Sequence, residues 1–161
     1  MSVLESQRWS EGAPPGSAPQ RNRAAPVEAV LWGENVDTRL LLRGLLRLHR
    51  HPVVHEAASL EELLRLPASE DPKILVVAVE PEDGGWERDL TAALKLHPEL
   101  HPVVILPRES AALGPRALAA GARVVVVRPF AIREFVDALA VAGDGGRRTS
   151  LDRAARSEPP R

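Results

Sequence analysis

Short β-branched apolar runs alternate along the chain with longer segments of helical periodicity. Val27–Trp32 (VEAVLW), Pro52–His55 (PVVH), Ile74–Val79 (ILVVAV), Pro102–Leu106 (PVVIL) and Arg123–Val127 (RVVVV) are the predicted strands. Three of these runs are almost continuously apolar, the pattern of strands buried on both faces of a parallel sheet. The segments between them read as helices. Leu41, Leu45 and Leu48 share one face of a helix predicted from about Asp37 to His49. Ser59-Leu60-Glu61-Glu62 is a capping box, opening a helix that stops at Pro67. Gly84 and Gly85 precede a third helix carrying Leu90, Ala93 and Leu94. Pro115 suits the first turn of a short fourth one ended by Gly121. Ile132, Phe135, Val136 and Leu139 recur at helical spacing and mark the last. The order is strand then helix, five times over. Right-handed crossovers make of it an α/β, doubly wound parallel sheet of five strands with helices on both faces.

Composition sets the limits of that domain. Pro14, Pro15, Pro19 and Pro26 punctuate a polar N-terminal stretch without apolar periodicity, and from Gly143 the chain is again polar and arginine-rich. Such segments bury too little apolar surface to offset their ordering entropy. The expected organisation is therefore a disordered tail over residues 1–26, one folded domain over 27–143 and a disordered tail over 144–161. The whole chain carries a net charge of −1. Residues 1–25 contribute +1 and 144–161 contribute +2, which leaves the core at −4. No strong positive field recruits nucleic acid or an anionic membrane, and no helix-turn-helix follows residue 143. The absence of cysteine excludes a disulfide scaffold, a thiolate zinc site and a cysteine nucleophile. No apolar run approaches the roughly 20 residues that span a bilayer. The N-terminus lacks the apolar core of a signal peptide, so the expected location is the cytoplasm.

Ligands of open α/β sheets bind at the carboxyl ends of the strands. Trp32 closes strand one at that rim and Trp86 opens helix three, each read first as a core or rim aromatic. WGEN follows strand one, where a nucleotide site would want several glycines, and no nucleophile elbow is present. Glu34, Glu80, Glu82 and Asp83 are oxygen donors for a hard cation, but a solvated acidic loop accounts for them better. His49, His51, His97 and His101 fall at the amino ends of strands two and four, on the opposite edge. They read as helix caps rather than as ligands. No metal, no cofactor and no enzymatic activity are expected.

The core, residues 27–142, resembles the receiver domain of bacterial response regulators. The resemblance is carried by AVLWGENVDTRLLLRGLL, DPKILVVAVEP, HPVVILP and, best of all, ALAAGARVVVVRPFAIREFVDAL. It implies a flavodoxin-like (CheY-like) sheet in the order 2-1-3-4-5. Receivers take a phosphoryl group on an aspartate at the end of strand three, beside a divalent cation held by an acidic pair after strand one. Here the acceptor position falls on Ala78 and the acidic pair on Gly33 and Glu34. The switch hydroxyl after strand four falls on Pro107, the lysine on Arg128 and the aromatic switch residue on Val125. The resemblance thus implies a pseudo-receiver with a degenerate phosphorylation pocket.

Glu80 is the candidate phosphomimic, two residues beyond Ala78 and on the same side of the strand. Either it fills the pocket and pairs with Arg128, or it only begins a solvated loop before Pro81. Glu34 is the other rim carboxylate placed to reach Arg128. The function implied is a signalling module that works through contact with a protein partner, independent of phosphorylation. Its interaction face would be helix four, strand five and helix five, with Arg116, Arg123, Arg133, Glu134 and Asp137 as polar contacts. Homodimerisation through the last helix is compatible with the same face. The alternative is a small-molecule-binding flavodoxin-like domain; nucleic-acid binding through the arginine-rich tail has thin support.

Overall fold

A computed structural model describes the backbone of residues 26–156 and the side chains of residues 26–144. The strands are β1 (Ala29–Trp32), β2 (Val53–Ala57), β3 (Lys73–Ala78), β4 (Leu100–Leu106) and β5 (Val124–Val127). They form one parallel sheet in the order β2-β1-β3-β4-β5. The helices are α1 (Val36–Leu48), α2 (Leu60–Leu64), α3 (Trp86–Leu96), α4 (Gly114–Ala119) and α5 (Ile132–Arg156). The doubly wound five-stranded sheet expected from the sequence is the one observed. Every residue of β1, β3 and β4 is buried, as their uninterrupted apolar runs require.

Alternation along the strands sends side chains into two cores. Ala29, Leu31, Ile74, Val76 and Ala78 meet Leu42 and Leu46 of α1 and Phe135 and Leu139 of α5. Val30, Trp32, Leu75, Val77 and Val79 meet Leu63 of α2, Trp86 and Leu90 of α3 and Ala117 of α4. The capping box is realised, with Glu62 N–H donating to Ser59 Oγ and Ala58 N–H donating to the Glu62 carboxylate. Asn35 caps α1 by accepting from Thr38 N–H at 2.9 Å. Gly121 ends the fourth crossover at a φ of 117°, where a Cβ would collide with Leu94.

Two expectations need correction, and one segment was not predicted. The buried stripe of α1 is Leu42 and Leu46, whereas Leu41 and Leu48 are 62% and 71% exposed. The leucines are so dense on this helix that two overlapping stripes exist, and spacing alone does not choose between them. A 3₁₀ segment, Arg108–Leu113, precedes α4; its alanines carry no apolar period. Finally, the backbone of α5 continues helically to Arg156, past the expected boundary at 143. Extending a formed helix fixes one residue per hydrogen bond gained and avoids the cost of nucleation. The expected N-terminal tail, 1–26, lies outside the described residues up to position 25, as does the end of the C-terminal one, 157–161.

The amino edge of the sheet carries four of the five histidines. His49 and His97 occupy the C-cap positions of α1 and α3, and His51 Nδ1 lies 3.0 Å from the Val27 carbonyl. His101 on β4 is buried, its Nδ1 without a partner. Burial, and then the Arg123 guanidinium, pull its pKa below the ordinary histidine value. The unfolded chain therefore binds this proton more readily than the folded one. The associated stability is complete above the ordinary value, about 6.5, and is lost as pH falls below it. His101→Leu is expected to flatten the decline of the urea midpoint between pH 7 and pH 5. An identical slope in both proteins would remove His101 from the account.

Candidate functional site

The carboxyl edge of the sheet is where the loops after β1, β3, β4 and β5 converge, and they enclose two separate concavities. The first, about 320 Å³, is lined by Trp32, Gly33, Glu34, Ser59, Leu60, Val77, Ala78, Val79, Glu82, Asp83, Gly84, Trp86 and Asp89. The second, about 650 Å³ and largely apolar, lies toward α1 and α5 and includes Leu41, Leu45, Glu80, Pro107, Arg128, Phe130 and Ile132. The sequence-derived positions are divided between them. Gly33, Glu34 and Ala78 belong to the first; Glu80, Pro107 and Arg128 belong to the second.

Ala78 is 3% exposed, at the end of the central strand. A Cβ on Gly33 would lie 3.0 Å from Ala78 Cβ and 3.3 Å from its carbonyl oxygen. The approach of β1 to β3 is thus tight at this glycine, and any side chain there needs the Ala78 end of β3 to give by a few tenths of an ångström. Glu34 is exposed, and it is its main-chain carbonyl, with that of Gly33, that accepts from Arg39.

Arg128 turns to β3. Its guanidinium donates to the Val79 carbonyl at 2.6 Å and to Glu80 Oε1 at 3.4 Å. The two side chains are 27% and 20% exposed, so the pair is partly desolvated. Of the two carboxylates placed to reach Arg128, Glu80 is the one that does. Glu80 Oε1 also accepts from Thr38 Oγ1 at 3.2 Å, and the Glu80 N–H donates to Asp83 at 2.8 Å. Glu80 therefore ties the loop after β3 both to β5 and to the first turn of α1. The Arg128–Pro129 peptide is cis, and Phe130 stacks on Phe135 with centroids 5.5 Å apart.

Thr38, Arg39 and the cavity-lining role of Trp86 were not assigned from the sequence. The signal for Thr38 was its place in the turn opened by the Asn35 cap, directly above the rim. The face residues do not form one patch. Arg116 pairs with Glu87 of α3 at 2.7 Å, and Arg123 lies at the amino edge near His101. Arg133, Glu134 and Asp137 are exposed on α5.

No known family model matches the sequence, and no curated protein matches it. Solved structures do match. An adenylate cyclase from Rhodopirellula baltica is 12% identical with a TM-score of 0.69, over 83% of this chain and 99% of that one. A response regulator receiver domain protein from Clostridium thermocellum is 16% identical, TM-score 0.62, over 78% and 98%. A CheY-like receiver domain protein from Methanospirillum hungatei is also 16% identical, TM-score 0.63, over 78% and 99%. The chain has the receiver fold. Among the described residues, no helix is long and apolar enough to cross a membrane.

The fit between Gly33 and Ala78 generates a prediction. Installing both acids of the receiver pattern, Gly33→Asp with Ala78→Asp, should cost about 3 kcal/mol or more in urea unfolding, through strand separation and carboxylate burial. Wild-type stability in the double variant would show that the strand ends part freely.

Proposed function

We propose that this chain is a pseudo-receiver: a cytoplasmic signalling module, not an enzyme, that acts by protein–protein contact without phosphorylation. The observation that carries this reading is the state of Arg128. In a receiver the corresponding cation answers a phosphoryl group on the acceptor aspartate; here Ala78 offers no carboxylate, and Arg128 is engaged by Glu80 and the Val79 carbonyl. A fixed negative charge thus stands beyond the acceptor position and holds the β5 cation permanently. Glu80 serves as the phosphomimic, and the degenerate pocket is parted, with Gly33, Glu34 and Ala78 on one side and Pro107 and Arg128 on the other.

The partner surface in this reading is the α4-β5-α5 face, with Arg133, Glu134 and Asp137 as its polar contacts and Arg116 and Arg123 at its margins. Exposed Leu118 of α4 and Val141 of α5 supply apolar area there. Pairing of two copies through α5 would use the same area.

Incubation with acetyl phosphate and magnesium should leave the intact mass unchanged. A labile gain of one phosphoryl group on an acidic residue would overturn the assignment of Ala78 to the acceptor position. Glu80→Gln should weaken binding of a partner captured on the wild-type protein, while the melting temperature shifts by only a few degrees, roughly 1 kcal/mol. Equal affinity would show that the Glu80–Arg128 pair is structural alone.

A further inference from the structure

Helix α1 is apolar on two opposite faces, and the core uses only one of them. Leu42 and Leu46 are buried against the sheet, with Leu45 half-buried beside them. The outward stripe reads Asp37, Leu40, Leu41, Gly44, Arg47 and Leu48, all exposed and recurring at helical spacing. Its three leucines are each more than half exposed. Of the nine large hydrophobic side chains exposed among the described residues, four belong to α1, so the excess is local to this helix. A surface helix ordinarily turns polar residues to that side.

Gly44 stands in the middle of the stripe, two residues and therefore about 200° of rotation from both Leu42 and Leu46. A Cβ there would meet nothing within 4 Å, so the fold of one copy does not ask for a glycine. Glycine is also among the poorest residues for a helix interior. What it permits is the close approach of another backbone.

The charges around Gly44 say which backbone. Asp37 precedes it by seven residues, and Arg47 and Arg50 follow it by three and six. None of these three forms an ion pair among the described residues. The intervening arginines are engaged within the molecule, Arg39 on the Gly33 and Glu34 carbonyls and Arg43 on Glu56. The face is thus apolar in the middle, acidic at one end and basic at the other. Two such helices laid antiparallel and crossing at Gly44 set Leu40 of each copy against Leu48 of the other. Asp37 of each then lies within about 6 Å, measured along the axis, of the other copy's Arg47 and Arg50. A parallel pair would oppose like charges at both ends. A face complementary to its own reverse suits an isologous two-fold contact, which closes at two copies.

We infer that the outer face of α1 is the docking surface for a second copy of this chain, the two helices packing antiparallel across Gly44. The inference goes beyond the functional reading and does not depend on it, and it places pairing on α1 instead of α5.

The test is sedimentation equilibrium of the full chain at low salt, from micromolar to millimolar concentration. A monomer–dimer equilibrium is expected. Leu48→Gln should weaken it about tenfold or more, because the change acts twice in each dimer. Gly44→Gln should also weaken it about tenfold, while the melting temperature of the dilute protein does not fall, since glutamine is the better helix former. Asp37→Arg should weaken pairing, as should Arg47→Asp with Arg50→Asp, because like charges then meet at both ends. An equimolar mixture of those two proteins should regain the dimer, each contact again joining an acid to a base. A monomer at every concentration would overturn the proposal, as would a dimer indifferent to Leu48→Gln and Gly44→Gln. Loss of the dimer on Val141→Gln alone would overturn it in favour of α5, and a mixture that stays monomeric would overturn the antiparallel contact.

Discussion

Strand β3 runs through the middle of the sheet with all six of its residues buried, and the rest of the edge is arranged around that fact. A carboxylate at the end of such a strand is desolvated and is kept only where a metal and a lysine repay the desolvation. With Ala78 in that position the strand end is apolar and β1 closes on it through Gly33. The first polar side chain of the edge is then Glu80, two residues later, where solvent begins to reach. Arg128, leaving β5 at the same level, meets Glu80 there and not at Ala78.

This displacement by two residues accounts for the division of the edge. The positions that a receiver brings into one pocket are parted by the Ala78 plug. On one side lies an acidic cavity walled by indoles, and on the other an apolar groove crossed by one ion pair. Thr38 links the groove to the first turn of α1 through its hydroxyl on Glu80. The apolar residues that α1 leaves exposed, Leu41 and Leu48, continue the same side of the molecule.

Much of the fold was legible because burial on both faces leaves an unambiguous mark. The runs ILVVAV and PVVIL admit no solvent-facing alternation, and the crossovers between them follow from chain direction. The capping box at Ser59 and the glycine at 121 were equally readable, each being a local requirement. The pairing of Arg128 was legible only as a choice between Glu34 and Glu80, since the deciding bonds come from Thr38 and the Val79 carbonyl, distant in sequence. The buried stripe of α1 was misread because six leucines occupy one helix, and which two face inward depends on the sheet. The walls of the acidic cavity were present in the sequence as Trp32 and Trp86 separately. Only the crossover from β1 to β3 brings them together.

The contact between Gly33 and Ala78 also bears on what this chain can become. A Cβ at position 33 would lie 3.0 Å from that of Ala78, so an acid there is tolerated only if the strand ends give by a few tenths of an ångström. The route back to a phosphoacceptor therefore carries a packing cost. Substitutions of surface and charge meet no such neighbour, and they are the cheaper direction of change for this chain.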